Sequence, residues 1–475
     1  MSQQSHRLLM VSNRLPVVVS CVEGRWDISA GSGGLVTALS PVMKQNDGLW
    51  IGWPGCGEEA PLNELLSRFR AEEGYRLHPV PLTEEEVERY YWGFSNETLW
   101  PLFHDLLGNC NFSLENWQTY RQVNERFART IAEVCKAGDL LWVHDYQLTL
   151  VGAYLRKHGV RQALGYFHHI PFPSLDLFRR LPWNLELIRG LMEYDLLGFQ
   201  TLRDRRNFIR CAHSLLPDTE VIRRHRHHTT LRHGQRKVRV GHFPISIDFD
   251  EFNDAAASKE VDEAAWFLHE NIEGRQLLLG VDRLDYTKGI PERLLAFERA
   301  LAKYPDLMRK ISLVQVVVPS RTMVPDYRDL KGQIDQLVGR INAQYSEHGW
   351  IPVHYVYRSL DRVQLLAHYR AAEIALVTPL CDGMNLVAKE YCASSVHNNG
   401  VLILSEFAGA ADTMGENALL VNPYDIEGTA DAIRQAFTMP QHERKRRMSV
   451  LRADIRRNDV HRWVRRFIET LQRSR

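Results

Sequence analysis

The chain has 475 residues, more than one ordinary hydrophobic core accommodates, so two large α/β domains are expected. Its composition, 44% apolar and 25% charged, is that of a globular protein. A net charge of +1 excludes a global field that would recruit nucleic acid or a membrane surface, so a charged ligand must be bound by a local cluster of side chains.

The cysteine pattern and the lack of long apolar runs restrict the compartment. The seven cysteines are scattered, odd in number and without a Cys-x-x-Cys spacing, which argues against a disulfide framework or a structural zinc site. The first residues hold only a short apolar run, unlike a signal-peptide core, and no stretch approaches the roughly 18 apolar residues of a membrane span. We expect a cytoplasmic protein with no nucleic-acid or membrane partner.

The first half of the chain alternates short apolar runs with amphipathic stretches, the pattern of βα units around a parallel sheet. Strands are predicted at Leu8–Ser12, Leu140–His144, Leu164–His168 and Leu196–Phe199. Helices are predicted at Gly33–Lys44, after a glycine-rich loop, and near Leu148–Lys157, Asn184–Tyr194 and Arg203–Leu215. The His/Arg-rich stretch from Arg223 to Arg239 predicts a solvated β-hairpin, and Phe243–Phe252 a crossing between domains.

The second half repeats this pattern. Strands are predicted at Leu277–Val281, Leu313–Val317, Val353–Tyr357, Ile374–Thr378 and Val401–Leu404. Pro291 opens a helix, because its missing N–H costs nothing in a first turn. From about Arg444 to Arg475 the apolar spacing predicts two consecutive amphipathic helices that are broken near Asn458.

Two loops of the second half carry candidate ligand-binding groups. In VDRLDYTKG, Arg283 and Lys288 lie between a strand and a helix, where a guanidinium and an ammonium would suit a diphosphate. In TPLCDGMNLVAKEY, Gly383 permits a tight turn before a helix whose first N–H groups could bind phosphate or sugar oxygens. Asp382 could accept from sugar hydroxyls and Glu390 from a ribose diol. Taken singly, Arg283 and Lys288 could lie in a solvated surface loop. Asp382 could be an N-cap, and Glu390 could be an exposed helical carboxylate.

Taken together and in order, these motifs resemble those of the trehalose-6-phosphate synthase family of retaining glycosyltransferases, over nearly the whole chain. The matching stretches are VSNRLP (11–16), GSGGL (31–35), GLWIGWPG (48–55), YYWGFSNETLWPLFH (90–104), WVHDYQL (142–148), HHIPFPS (168–174), DLLGFQT (195–201), DRLDYTKGIPERL (282–294), PSR (319–321), GRIN (339–342), DGMNLVAKEY (382–391) and LSEFAGA (404–410).

The resemblance implies an α/β chain with the GT-B fold, two Rossmann-like domains that face each other across a cleft. Residues 1–243 would form the acceptor domain and residues 244–455 the nucleotide-sugar domain. Residues 456–475 would form a helix that crosses back to the first domain.

The resemblance also assigns the donor site. Arg283 and Lys288 would bind the diphosphate, and Glu390 the ribose. The transferred glucose would be held by Asp382 and by backbone groups of the loop that continues through Gly383, Met384, Asn385 and Leu386. His169 would contact this glucose near its 6-hydroxyl, whereas its neighbour His168 is predicted to be a packing residue. The backbone at Gly33 and Gly34 would close over the donor.

The acceptor of this family is glucose-6-phosphate. Arg14 and Arg321 would clamp its phosphate, since two guanidinium groups can form charge-assisted bidentate bonds. Tyr91 would add a hydroxyl donor, Trp100 would border the site and Trp53 would line the sugar pocket. Asp145 would accept from the acceptor hydroxyls. In isolation, the three aromatic residues could equally be core residues.

The implied reaction retains the anomeric configuration. We find no carboxylate in these motifs suited to a double displacement, so a same-face dissociative substitution is expected. Arg283, Lys288, Asp145 and His169 would serve it by electrostatics and positioning, with no cofactor and no metal. Asp248 and Asp250 form an Asp-x-Asp pair, which is the metal-binding signature of another glycosyltransferase fold. Here Arg283 and Lys288 already supply the positive charge that a metal would provide.

Other readings remain open at this stage. A glucosylglycerol-phosphate synthase, which uses glycerol-3-phosphate, is the nearest, and an enzyme that couples a pseudosugar through nitrogen is another. A catalytically silent sugar-phosphate sensor is a third. Such a sensor would be expected to lose donor-site charges, whereas this chain has all four, Arg283, Lys288, Asp382 and Glu390. UDP-glucose is the default donor, with GDP- or ADP-glucose as alternatives, and the family suggests a homodimer or homotetramer.

Overall fold

The computed structural model describes residues 7–22, 25–31, 34–45, 48–56, 60–225, 228–270, 274–320 and 325–474. The chain divides into two units, unit 1 with Met1–Ile245 and His461–Arg475 and unit 2 with Ser246–Val460. The sequence predicts these divisions at 243/244 and 455/456.

Unit 1 is built on a nine-stranded sheet with the order β5-β4-β1-β6-β7-β8-β11-β10-β9, and β2 and β3 form a separate hairpin. All pairs from β5 to β11 are parallel, and β10 and β9 complete the sheet as antiparallel strands. The strands are β1 (Leu8–Arg14), β2 (Val17–Val22), β3 (Arg25–Ala30), β4 (Leu49–Trp53), β5 (Arg76–Pro79), β6 (Leu140–His144), β7 (Ala163–His168), β8 (Leu196–Phe199), β9 (Thr219–Arg224), β10 (His228–His233) and β11 (Arg236–His242).

The helices of unit 1 mostly connect parallel strands. They are α1 (Gly34–Gln45), α2 (Leu62–Glu73), α3 (Glu84–Glu86), α4 (Trp100–Phe103), α5 (Leu114–Val134), α6 (Val151–Lys157), α7 (Leu175–Phe178), α8 (Asn184–Leu191) and α9 (Leu202–Leu215). A π-helical segment, Val87–Leu99, runs between α3 and α4. Such segments are rare and frequently occur at functional sites.

Unit 2 contains a parallel six-stranded sheet with the order β14-β13-β12-β15-β16-β17. Its strands are β12 (Gln276–Arg283), β13 (Ile311–Val318), β14 (Val353–Val356), β15 (Ile374–Val377), β16 (Val401–Ser405) and β17 (Leu419–Val421). Its helices are α10 (Phe249–Ala256), α11 (Lys259–Glu270), α12 (Ile290–Lys303), α13 (Pro325–Tyr345), α14 (Arg362–Ala371), α15 (Leu386–Ser394), α16 (Ala411–Met414), α17 (Ile426–Thr438) and α18 (Gln441–Arg457).

The last helix, α19 (Val460–Gln472), returns the chain to unit 1, as the fold prediction expects. Phe467 is fully buried, and its ring stacks on Trp142 of β6 with centroids 4.2 Å apart. The glycines at 165 and 198 make room for it, because a Cβ at either position would lie 2.8 Å from the Phe467 ring. The glycines on two neighbouring strands therefore allow this helix to pack closely against the sheet.

Every strand predicted above is present to within a few residues, and so are the β-hairpin of β10 and β11 and the break between α18 and α19. The helix predicted at Leu148–Lys157 is wrong at its start. A 3-10 turn occupies Tyr146–Leu148, because the Asp145 side chain accepts from the Tyr146 N–H, and α6 begins at Val151. Among the described residues, no helix is long and apolar enough to cross a membrane.

Candidate active site

A buried arginine holds together the ends of two adjacent strands in unit 2. Arg293, on α12, is 1% exposed and forms an ion pair with Asp282 of β12. Its Nε donates to Thr378 Oγ1 at 3.0 Å, just after β15, and its Nη2 donates to the Lys288 carbonyl at 3.3 Å. The loops that follow β12 and β15 are thereby fixed at the carboxyl edge of the sheet, where α/β proteins bind their ligands.

The turn after β12 places Lys288 at this edge. Asp285 accepts from the Thr287 N–H at 3.0 Å and caps a single 3-10 turn that ends at Lys288. Gly289 has a φ of 62°, and a Cβ there would lie 2.4 Å from the Thr378 carbonyl oxygen. Only glycine fits this position, so Gly289 is what allows α12 to begin at Ile290, two residues after the lysine.

Lys288 and Asp382 form a nearly buried ion pair. Lys288 Nζ lies 2.5 Å from Asp382 Oδ2, and the two side chains are 11% and 15% exposed. The Asn385 amide donates to the same carboxylate oxygen at 3.2 Å. An ammonium has three N–H groups, so Lys288 can keep this bond and still donate to a ligand. Arg283, the last residue of β12, adds an exposed guanidinium to the same edge.

The loop from Asp382 to Leu386 is held in place through its backbone. The N–H groups of Gly409 and Ala410 donate to the carbonyls of Asp382 and Met384 at 3.0 and 2.8 Å. Asn385 has a φ of 74°, a conformation that asparagine tolerates, and α15 begins directly after it. Its Oδ1 is buried and has no hydrogen-bond partner among the described residues. The loop thus presents an unsatisfied acceptor beside the first N–H groups of a helix, which favour anions.

Glu390, one turn into α15, is oriented by a tyrosine of the preceding helix. The Tyr369 hydroxyl, on α14, donates to Glu390 Oε2 at 2.8 Å, and the tyrosine is fully buried. Burial raises the pKa of Glu390, and the Tyr369 hydrogen bond opposes this by stabilising the carboxylate. The sequence predicts Glu390 but not Tyr369, because α14 carries no motif that points to a ligand.

In unit 1, Asp145 and His169 meet at the carboxyl ends of the adjacent strands β6 and β7. Asp145 has a φ of 76°, and its Oδ1 accepts from the N–H groups of Tyr146 at 3.0 Å and His169 at 3.2 Å. Burial raises the pKa of Asp145 to about 7, although these two bonds favour the carboxylate. Asp145 is therefore an acceptor whose charge is poorly solvated, as in many ligand-binding sites.

His169 is neutral and is positioned by a second histidine, His144, which the sequence does not predict as a site residue. Its Nε2 lies 2.9 Å from His144 Nδ1, and burial lowers the pKa of His169 to about 3. It can therefore exchange hydrogen bonds with a ligand but does not act as a cation. His144 ends β6 and directly precedes Asp145, and this was its only signal in the sequence. His168 is buried against Phe103, in agreement with its predicted packing role.

Arg14, Trp53 and Tyr91 form an aromatic and cationic cluster at the ends of β1 and β4. The exposed Arg14 guanidinium lies 4.8 Å from the centroid of the Trp53 ring, and Trp53 and Tyr91 are 6.4 Å apart by ring centroids. Trp53 Nε1 is buried and has no hydrogen-bond partner among the described residues. A cation above an indole face, with a hydroxyl nearby, can bind a phosphate and pack against a sugar.

The π-helical segment is joined to the Asp145 turn by a buried asparagine. Asn96 donates to the Tyr91 carbonyl at 2.8 Å and accepts from the Tyr146 hydroxyl at 3.1 Å. Trp100 is 6% exposed and lies 5.9 Å from the Tyr146 ring, measured between centroids. Trp100 is thus largely a core residue of this neighbourhood, and Asn96 links the two segments that carry predicted acceptor residues.

Of the remaining predicted site residues, Gly33 and Arg321 lie outside the described residues, and Gly34 is the first residue of α1. The Asp-x-Asp pair has other roles, since Asp248 caps α10 by accepting from the Glu251 N–H, and Asp250 forms an ion pair with Arg456.

The whole sequence resembles known glycosyltransferases. The model of Glycosyltransferase family 20 matches residues 6–473. A bifunctional trehalose-6-phosphate synthase/phosphatase of Thermoproteus tenax is 42% identical over 98% of the chain, which spans only 63% of that protein. A trehalose-6-phosphate synthase of Mycobacterium leprae is also 42% identical over 98% of the chain, which spans 94% of it.

Solved structures support the fold. A crystal structure of an α,α-trehalose-phosphate synthase (UDP-forming) from Burkholderia xenovorans in complex with glucose-6-phosphate matches with a TM-score of 0.86 and 34% identity. The match covers 98% of this chain and 100% of that one. The predicted α/β fold of the GT-B class is confirmed by this likeness over the whole chain.

Proposed function

The chain belongs to glycosyltransferase family 20, and from this premise we propose that it transfers glucose from UDP-glucose to glucose-6-phosphate. The products are α,α-trehalose 6-phosphate and UDP, with retention at the anomeric carbon. The observation that carries the proposal is the Lys288–Asp382 pair beside the N-terminus of α15, which combines a cation for a diphosphate with an acceptor for sugar hydroxyls.

On the donor side, the diphosphate is bound by Arg283 and Lys288 and the ribose by Glu390. The glucose is held by Asp382 and by the loop through Gly383, Met384, Asn385 and Leu386, with Asn385 Oδ1 gaining the partner that it lacks. His169 contacts its 6-hydroxyl, and the backbone at Gly33 and Gly34 covers the donor.

On the acceptor side, Arg14 and Arg321 bind the 6-phosphate with help from Tyr91. Trp53 lines the sugar pocket, with its indole N–H free to donate to a ligand oxygen, and Trp100 supports its border. Asp145 accepts from the acceptor hydroxyls. This requires its carboxylate form, so the raised pKa predicts weaker acceptor binding below about pH 7.

Bond cleavage is assisted by electrostatics. As the glucose–oxygen bond breaks, negative charge collects on the departing diphosphate, and Arg283, Lys288 and the first N–H groups of α15 stabilise it. The diphosphate leaves from the face that the acceptor hydroxyl attacks, and it takes up the hydroxyl proton. Positioning supplies the remainder, since both reactants are held by fixed loops.

The wider properties of the chain are part of the same proposal. Most of the proposed acceptor residues lie in the range 1–243, the acceptor side, and most of the proposed donor residues in the range 244–455, the donor side. The protein is cytoplasmic, acts as a homodimer or homotetramer without a metal or other cofactor, and binds neither nucleic acid nor membrane. The net charge of +1 is consistent with substrates that are recognised locally.

A product assay tests the proposed activity. Purified protein is incubated with UDP-, GDP- or ADP-glucose and with glucose-6-phosphate or glycerol-3-phosphate, and the products are identified by NMR. We expect an α,α-linked disaccharide phosphate, formed fastest from UDP-glucose. Product from glycerol-3-phosphate alone would instead identify a glucosylglycerol-phosphate synthase, and binding without turnover would identify a sensor.

A further inference from the structure

Unit 2 contains a polar cavity at the edge of its sheet opposite to Lys288. The cavity has a volume of about 440 Å³ and is lined by the ends of α11 and α14, the start of α18 and the loop from Ser395 to Gly400. Glu373, which lines it, directly precedes β15, and Gly400 directly precedes β16. The cavity thus lies at the amino ends of strands whose carboxyl ends carry the donor loops, so the two sites are distinct.

Four basic side chains from four different elements line this cavity: His269 of α11, Arg370 of α14, His397 of the Ser395–Gly400 loop and Lys445 of α18. Arg370 is fixed by a bond to the Ala256 carbonyl at 3.0 Å and by an ion pair with Asp262, and it lies 3.2 Å from His397 Nε2. Lys445 is exposed and has no ion-pair partner among the described residues.

The acidic groups do not neutralise this cluster fully. Glu373 Oε2 accepts from the Leu277 N–H at 2.8 Å, its other oxygen lies 3.8 Å from His269, and burial raises its pKa. The carboxylate of Asp262 is 65% exposed and already pairs with Arg370. The unpaired ammonium and the two imidazole rings therefore leave donors for an anion.

Hydrogen-bonding groups beside these donors are also available. Asn399 Oδ1 is buried and accepts no hydrogen bond from a described residue, so its amide can turn toward a ligand. Gln441 adds a second amide, which is exposed. The lining is predominantly polar, and the volume exceeds what a bare anion needs, so a ligand that combines an anionic group with hydroxyl groups fits this cavity.

We propose that this cavity binds a small phosphate monoester with free hydroxyl groups, at a site separate from both substrates of the proposed reaction. The phosphoryl oxygens are bound by Lys445, His397, His269 and Arg370, whose donors approach from several directions. A tetrahedral phosphate can satisfy such donors, whereas a planar carboxylate satisfies fewer. The hydroxyl groups bind to the amides of Asn399 and Gln441. This inference does not depend on the proposed activity.

Histidine ring NMR tests the site directly, because its two imidazoles are local probes. Protein labelled with ¹⁵N in its 20 histidines is titrated with glycerol 2-phosphate, and the His269 and His397 resonances are identified by their loss in H269A and H397A. We expect both to shift, with a dissociation constant of about 1 mM or tighter. The absence of any shift in these two rings would overturn the proposal.

Matched variants separate this site from other phosphate sites. Lys445→Ala should weaken binding about tenfold, as expected for the loss of one charge-assisted bond, whereas Arg446→Ala, an equal charge change at the next position, should not. Lys288→Ala should also leave the two ring shifts unchanged. Equal weakening by K445A and R446A would indicate a general charge effect and would overturn the site.

The same titration with inorganic phosphate distinguishes the anion from its ester. We expect the ester to bind at least severalfold more tightly, because only the ester carries hydroxyl groups for the two amides. Equal affinity for both would overturn the assignment to a monoester.

Discussion

Lys288 forms a structural ion pair and is also the cation proposed for the donor diphosphate. Its ion pair with Asp382 leaves little net charge in a poorly solvated pocket before a ligand arrives. In the proposed donor complex a diphosphate brings its own negative charge, so the lysine would bind it while it stays close to the aspartate. A lysine suits this role because its three N–H groups can be shared between two partners.

We predict that Lys288→Ala lowers turnover by about two orders of magnitude or more, since a cation on a leaving group contributes several kcal/mol to the transition state. Initial rates with UDP-glucose and glucose-6-phosphate measure the effect. Lys303→Ala is the control, because this half-buried lysine pairs with Glu427 and Asp431 on the surface of the same unit. Near-normal turnover of a folded K288A would contradict the donor assignment.

The raised pKa of Asp145 predicts a pH-dependent stability difference. Its folded-state pKa is about 7 and an unfolded aspartate has about 3.9, so the native state binds the proton more tightly and wild type loses stability as pH rises from 4 to 7. Asp145→Asn removes this loss while it keeps the acceptor oxygen and tolerates the positive φ.

Relative to wild type, D145N should therefore gain about 2 kcal/mol between pH 5 and pH 8, and its unfolding midpoint should rise accordingly. Thermal unfolding of both proteins at the two pH values measures this gain. A midpoint difference that is the same at both values would show that Asp145 titrates normally in the folded protein.

Among the elements of unit 2, α14 supports α15 through the Tyr369–Glu390 bond. Tyr369→Phe removes a donor from a buried carboxylate, so the pKa of Glu390 rises further and less of the carboxylate that is proposed to bind the ribose remains. We predict that KM for UDP-glucose increases about tenfold, as one hydrogen bond to a charged group is lost, with a smaller change in kcat.

The increase should be larger at pH 6 than at pH 8, because the protonated fraction of Glu390 grows as pH falls. Steady-state kinetics at both pH values measure it. The control is Tyr304→Phe, which removes a hydroxyl that bonds to Asp431 on the surface. A loss of kcat alone, independent of pH, would indicate that Tyr369 only supports the fold.

The start of α12 depends on a glycine. We predict that Gly289→Ala destabilises unit 2 by more than about 1 kcal/mol, because its φ is positive and the new Cβ would lie 2.4 Å from a carbonyl oxygen. Gly332→Ala is the matched control, since this helical position has open space, and it should stabilise by about 0.5–1 kcal/mol. Thermal unfolding measures both, and equal effects would show that the turn tolerates a side chain.

Strands and short loops could be predicted because their signals are local. A short apolar run such as LLWVH in an alternating βα pattern predicts a buried strand, and glycine and proline after a strand predict a turn and a helix start. Asn96, Tyr369 and Arg293 could not be predicted as members of these sites, because their partners lie on other elements. Their sequence context is that of ordinary helical residues.

At the scale of the whole molecule, the chain's last helix closes unit 1. Phe467 contacts Trp142, Phe167 and Phe243, and the neighbouring Trp463 donates from its indole N–H to the Phe243 carbonyl at 3.1 Å. The aromatic residues of α19 therefore cover the centre of a sheet whose strands would otherwise be exposed.

We predict that Phe467→Ala costs about 3–5 kcal/mol, the usual penalty for removing a fully buried phenylalanine. Hydrogen exchange should become faster in the segment from His461 to Gln472 and in β6 and β7. Arg465→Ala, an exposed position on the same helix, should change neither. Unchanged protection in F467A would mean that this helix contributes little to unit 1.

The sequence alone determined the two α/β halves, their strands and the loops that carry Arg283, Lys288 and Asp382. These features follow from residues that are close along the chain, where periodicity, glycine and capping act directly. The tertiary structure decided which residues meet: Tyr369 with Glu390, His144 with His169, and four basic side chains around one cavity. These contacts depend on strand order and helix packing, because side chains that are distant in sequence come together only when the sheets assemble.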